Sequence, residues 1–187
     1  MKLILGSASP RRLEILKQAN IVPVKIIPAD IDEEPKAGEL PIKYCERIAL
    51  KKVNAISGGA DEIILTADTT VSVGRRIMGK PKDPDEAIKF LKLLSGRRHK
   101  VITAIAVKNV QEIRKKSVIS SVKFKNLSSH DIDYYISSGE WKGKAGGYAI
   151  QGLGSEFIPW ISGSYSGVVG LPIAQTISLL KSLGWTP

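Results

Sequence analysis

Cysteine is almost absent from this chain of 187 residues: Cys45 stands alone, which excludes an internal disulfide and a cysteine-rich metal centre. Histidine is nearly as scarce. His99 and His130 are too few for a histidine-based zinc site, so a metal bound here is expected to be a hard cation held by carboxylates and phosphate oxygens. No uninterrupted apolar run is long enough to span a bilayer. The first residues enter a strand pattern instead of a signal peptide, and the cytoplasm is the expected compartment. Internal repeats, low-complexity tracts and long linkers are missing. Neither the Walker spacing nor the GxGxxG dinucleotide fingerprint occurs.

What is present is a core and an excess of positive charge. The hydrophobic fraction of 43% supports a real core, although length alone does not separate one domain from two small lobes. Lys and Arg number 28 against 18 acidic residues, a formal charge of +10. That excess favours an anionic partner. The basic groups at Arg75-Arg76, Arg97-Arg98-His99-Lys100 and Arg114-Lys115-Lys116 are scattered and not interleaved with aromatics. Stable nucleic-acid binding is therefore not expected.

The order of segments predicts a mixed α/β protein. Leu3-Ile4-Leu5 reads as a strand, followed by the turn Gly6-Ser7-Ala8 and a helix capped by Ser9, with Pro10 in its first position. Residues 22–27 form a second short apolar run. A helical pattern covers Pro41 to Ile56, with Ile42, Cys45, Ala49 and Val53 near one face and Lys52 at its edge, where a snorkelling lysine is the ordinary explanation. Glu62 to Ala67 reads as a buried strand with Asp68 and Thr69 at its end. Asp83-Pro84-Asp85-Glu86 opens a helix that Ser95-Gly96 ends. Val101–Val107 and Val118–Phe124 suggest an antiparallel pair joined by the polar residues 109–116. Ser128 with Asp131 forms a capping box, and a last helix runs from Pro172 to Leu183. Crossovers and hairpins together favour a mixed sheet over a purely parallel one.

Several chemically capable residues fall at turns or strand ends: Arg11, Arg12, Glu33, Asp68, Lys80 and Lys144. A small-residue turn with free backbone N–H groups beside two guanidinium groups suits an oxyanion such as phosphate. An aspartate leaving an apolar strand is costly to bury unless it is paired or binds a cation, which favours a site role for Asp68 over a structural hydrogen-bonding one. Gly79-Lys80-Pro81 and Lys144-Ala145-Gly146-Gly147 place lysines beside small residues that let backbone approach a ligand. These features point toward phosphate chemistry without choosing a reaction.

An ordered series of short motifs goes further. Ser9-Pro10-Arg11-Arg12, Ala67-Asp68-Thr69, Gly79-Lys80-Pro81, Leu94-Ser95-Gly96 with His99 and Thr103-Ala104, Lys144 through Gly152, and Gly163-Ser164-Tyr165 with Val168-Val169-Gly170-Leu171-Pro172 span nearly the whole chain. In this series the chain resembles the Maf family of nucleoside triphosphate pyrophosphatases. The resemblance implies one domain over residues 1–187, with a mixed twisted sheet flanked by helices and two lobes around a cleft, and a homodimer. It implies cleavage of a nucleoside triphosphate between its α and β phosphates. Asp68 then matches the catalytic carboxylate and Glu33 its acidic partner at a divalent metal, Mg²⁺ or Mn²⁺. Arg12, Lys52 and Lys80 match the cations around the triphosphate, with Ser9 and Lys144 beside them. Arg11, Thr69 and Gln151 match positions linked to base selection in the branch acting on dTTP and UTP.

Departures from the family pattern are modest: Gly143 replaces an acidic residue, and Gly6-Ser7-Ala8 and Gly147 vary small-residue positions. They leave pocket shape open. Gln151 also reads as a turn-stabilising amide. Other readings stand beside the dTTP and UTP one: the same hydrolysis on modified pyrimidine nucleotides or 7-methyl-GTP, a nucleotide-binding or nucleic-acid-binding module without turnover, and a division-linked interaction protein.

Overall fold

Strand β3 (Glu62–Val73) is the spine around which the molecule is arranged, in a computed structural model that describes residues 1–186. Its first half pairs in parallel with β1 (Lys2–Leu5), and β1 pairs in parallel with the two-residue β2 (Lys25–Ile26). Beyond these lie antiparallel neighbours: β4 (Arg76–Met78) and β5 (Arg98–Lys108) on β3, then β6 (Ile113–Lys123) on β5 and β7 (Trp160–Ser162) on β6. The sheet order is β2-β1-β3-β5-β6-β7, with β4 joined to β3 alone. This is the expected mixed sheet.

Alternation along β1, β3 and β5 divides the apolar side chains between two faces. Ile4, Ile64, Ile102, Ala104 and Ala106 meet helix α2 (Pro41–Asn54) through Cys45, Ala49 and Val53. On the opposite face Leu3, Leu5, Ile63, Leu65, Ile105 and Val107 meet α1 (Pro10–Gln18) and the C-terminal helix at Ile173–Ser182. Each large aliphatic side chain buried this way stabilises by roughly 1.5–3 kcal/mol. A third cluster gathers the far half of β3, β5 and β6 against α3 (Pro84–Leu94) and α4 (Ser129–Ser137) through Val71, Phe90, Leu94, Val122, Phe124 and Tyr135. A short helix, α5 (Tyr165–Val169), precedes the C-terminal helix α6 (Ile173–Ser182).

Four local expectations change. The 22–27 run contributes only Lys25–Ile26 to the sheet, and both residues are exposed. Ser9 occupies the N-cap of α1, but its side chain makes no capping bond; its backbone N–H donates to Ser7 Oγ instead. Residues 113–116 belong to β6, not to a connection, because the outer surface of that strand faces solvent; Asn109 tightens the turn, its Oδ1 accepting from the N–H groups of Gln111 and Glu112 and its own N–H donating to Glu112 O. Asp68 lies inside β3, not at its end.

That last change explains the site. On one edge, β3 is paired with β1 only as far as Leu65, and β4 takes over at Val71. Residues 66–70 keep their bonds to β5 on the other edge and face an opening where β1 has stopped. The carboxyl end of β1, not of β3, brings the backbone turn of residues 6–9 to this opening. Gly6 is required there, since a Cβ would overlap Thr66 and Ile56.

Candidate active site

The opening leads into a cavity of about 440 Å³. Ser9, Arg11, Arg12, Glu33, Lys52, Asp68, Thr69, Lys80, Lys144 and Gln151 all line it. The ten residues singled out from the sequence therefore come together, from six separate stretches of chain.

Asp68 sits on the α2 face of β3 and is 6% exposed. Its carboxylate is compensated locally. Lys52 Nζ lies 2.9 Å from Oδ1, and Thr70 Oγ1 donates to Oδ2 at 3.2 Å. The same ammonium lies 2.9 Å from Glu33 Oε1. Lys52 is thus no snorkelling lysine at the rim; it is the cation shared by the two carboxylates, and its side chain is only 11% exposed. Removing one partner from such a buried group is expensive because the remaining charge stays desolvated. Glu33 comes from the irregular segment before α2, which that helix fastens down: Tyr44 Oη donates to Glu33 O at 2.9 Å, and Arg47 donates to Glu34 O and pairs with Glu39.

On the other face of β3, Thr69 meets Arg12. The guanidinium donates to Gly170 O at 2.8 Å, Ser7 Oγ at 2.9 Å and Thr69 Oγ1 at 3.3 Å. Burial draws its pKa down, and the Coulombic pull of Asp68 works against that. Thr103 donates its hydroxyl proton to Gly167 O at 2.7 Å, so the 3.1 Å contact between the two threonines is a bond donated by Thr69. Thr69 consequently accepts from Arg12 and has already spent its proton.

Lys80 and Lys144 approach from the far side. The N–H of Gly146 donates to Gly79 O at 2.9 Å, tying the two lysine-bearing turns together, and the positive φ of 70° at Gly146 makes that turn possible. Burial and the neighbouring Arg11 both push the Lys144 pKa down. The cavity lining thus carries five cationic side chains (Arg11, Arg12, Lys52, Lys80, Lys144) against two carboxylates (Glu33, Asp68). A cavity of this size and sign suits a polyphosphate better than a neutral ligand. Cys45 is no nucleophile here: it donates to the carbonyls of Asp68 and Ile102, and burial pushes its pKa up to about 12.

Residues 2–183 match the family described as Maf-like protein. The chain belongs to the Maf family. It is 57% identical to the dTTP/UTP pyrophosphatase of Cereibacter sphaeroides over 98% of this chain and 96% of that one. It is 49% identical to the nucleoside triphosphate pyrophosphatase of Anaplasma phagocytophilum, over 96% and 94% respectively. A HAM1 protein from Coxiella burnetii shares the fold, with a TM-score of 0.50 and 17% identity across 97% of this chain and 99% of that one.

Sequence reasoning left some residues of this Maf site without a role. Ser7, Tyr44, Thr70 and Thr103 hold Arg12, Glu33, Asp68 and Thr69 in place, as described above. Tyr148 lines the cavity, and behind it His99 is buried with Nε2 2.7 Å from the Tyr148 hydroxyl. Ser7 and Thr70 carried a signal in standing next to candidate residues. Tyr44 carried one in its position on the α2 face that precedes Lys52 by two turns. His99 and Thr103 lie within the motif series, but nothing in their spacing identified their partners.

Proposed function

We propose that the protein hydrolyses dTTP and UTP between the α and β phosphates, releasing the nucleoside monophosphate and pyrophosphate. The observation that carries the reading is a buried carboxylate, Asp68, set in the wall of a cavity whose remaining charge is mostly cationic. The dTTP/UTP pyrophosphatases among the relatives supply the choice of base. The whole chain, 1–187, would act as one domain, with the cavity between two lobes.

Each side chain has a part that its chemistry allows. An ionised carboxylate has about four acceptor sites, and Lys52 and Thr70 occupy two on Asp68. The others are free to take a proton from a water molecule, directing its oxygen at the α-phosphorus. Lys52 has three donors and spends two on Glu33 and Asp68, leaving one for a phosphate oxygen. Arg12, Lys80 and Lys144 offset the charge that grows on pyrophosphate as the bond to it breaks.

The donor set also fits a divalent cation, provided the substrate completes it. Among the described residues no group of three or more acidic, histidine or cysteine side chains converges on one point. Glu33 and Asp68, already drawn to one ammonium, supply the one or two carboxylates that Mg²⁺ or Mn²⁺ takes beside phosphate oxygens. When bound, such an ion would neutralise phosphate charge and acidify the attacking water.

The test is a screen of purified protein against dTTP, UTP, CTP and 7-methyl-GTP with Mg²⁺, resolving the products. Monophosphate and pyrophosphate from dTTP and UTP in preference to the others is the expected result. Phosphate in place of pyrophosphate overturns the reaction, and a marked preference for 7-methyl-GTP overturns the base.

A further inference from the structure

Gln151 is exposed in the cavity, and its side chain takes no hydrogen bond among the described residues. A primary amide offers one donating and one accepting edge, and turning it over exchanges them. Such a group distinguishes one base edge from another only if the backbone that carries it is held still. The structure provides a device for this, outside the cavity and on a different element.

Glu140 follows α4 and its carboxylate reaches across to the turn that follows Gln151. Oε2 accepts from the N–H of Leu153 at 2.9 Å, and Oε1 accepts from the N–H of Gly154 at 3.1 Å. The phenol of Tyr135, on α4, donates to Oε1 at 3.0 Å and accepts from the N–H of Ala149 at 3.1 Å. Backbone N–H groups on both sides of Gln151 are therefore tied to one carboxylate–phenol pair. The fit is close: a Cβ on Gly152 would overlap the Glu140 carboxylate, and one on Gly154 would overlap the carbonyl of Ala149. Charge-assisted bonds of this kind are stronger than neutral ones, and Tyr135 is fully buried, so the pair is anchored in the core beneath α4.

We infer that Glu140, supported by Tyr135, is a positioning residue for substrate choice: it fixes the 149–154 turn so that Gln151 meets the base at a set place and angle. The inference rests on the hydrolytic reading above. Neither residue lines the cavity, so neither touches the triphosphate or the reacting atoms.

Glu140→Gln keeps the size but turns an N–H toward N–H groups that now find an acceptor. The expected result is a fall of about tenfold in the dTTP-to-CTP ratio of kcat/KM, carried by KM for dTTP, with kcat changed less than about threefold. Tyr135→Phe retains the two bonds to Leu153 and Gly154, so it should shift the ratio in the same direction by less, and it serves if the first variant folds poorly. Amide exchange, which needs no substrate, should accelerate over 149–154 in both. An unchanged ratio in a folded, active Glu140→Gln variant overturns the inference, as does an equal loss of kcat on every nucleotide. A wild-type protein that releases no monophosphate from any triphosphate removes the hydrolytic reading itself, and base selection with it; that failure is distinct from an active enzyme whose ratio does not move.

Discussion

The two walls of the cavity are held by different means. Asp68 and Thr69 project from the middle of a twelve-residue strand that is paired with β5 from Ile64 to Ser72, and Lys52 projects from a fourteen-residue helix packed on that strand. Opposite them, Gln151, Lys144 and Lys80 ride on turns, whose places depend on a few bonds: Gly146 to Gly79, and the Glu140–Tyr135 pair to residues 149–154. Groups that must meet a reacting atom gain most from rigid elements, where small displacements are costly. Groups that choose a base can be re-aimed by changing a turn, without disturbing the strand that carries the carboxylate.

The sharpest way to break this division is Asp68→Asn. The amide keeps the shape and loses the ability to take a proton, while Lys52 is left with Glu33 as its only carboxylate. Turnover on dTTP should fall by about a thousandfold, within the range for a lost acid–base group, with KM nearly unchanged and the ratio between bases preserved. Steady-state kinetics on dTTP, UTP and CTP measure all three. Near-normal turnover would move the chemistry off the strand wall.

A second test concerns the core beneath the turn wall. His99 packs edge-on against Phe124 and Tyr148, and its Nδ1 finds no partner among the described residues. Burial lowers its pKa from 6.5 to about 4. The folded state therefore holds the neutral ring, and the unfolded chain takes up the proton first as pH falls. Stability should be level above pH 6.5 and decline as pH drops toward 4, by as much as about 3 kcal/mol. Chemical denaturation at a series of pH values gives the slope. His99→Gln should be less stable at pH 7.5 yet lose much of the decline between pH 6.5 and 4.5. If the variant keeps the full slope, another group is responsible.

How far these walls could be read from the sequence follows the same division. The strand and helix patterns around Asp68 and Lys52 were legible because apolar spacing records which face is buried. The error about Asp68 arose because an acid in an apolar run looks like a strand end. The run continues after it, and what ends there is the neighbouring β1, a pairing that no local pattern encodes. The turn wall was legible only as small residues beside lysines. Glu140 and Tyr135 bond to backbone up to fourteen residues away, through N–H groups that every residue type but proline carries, so nothing in the sequence marks the recipients.

Thr69 lies where the two walls are hardest to separate, and it offers the finest test. Its family resemblance assigns it to base selection, yet its proton goes to Thr103 and its oxygen accepts from Arg12. On the function proposed here it would act through Arg12, and so belong with the triphosphate. Thr69→Val removes that acceptor while Ser7 and Gly170 still hold the guanidinium. The donor is a cation, and a charge-assisted bond of this length contributes about 1.5 kcal/mol, so kcat/KM should drop by roughly tenfold, equally for dTTP, UTP and CTP. A change in the ratio between bases, with dTTP turnover intact, would instead put Thr69 on the same side of the division as Gln151.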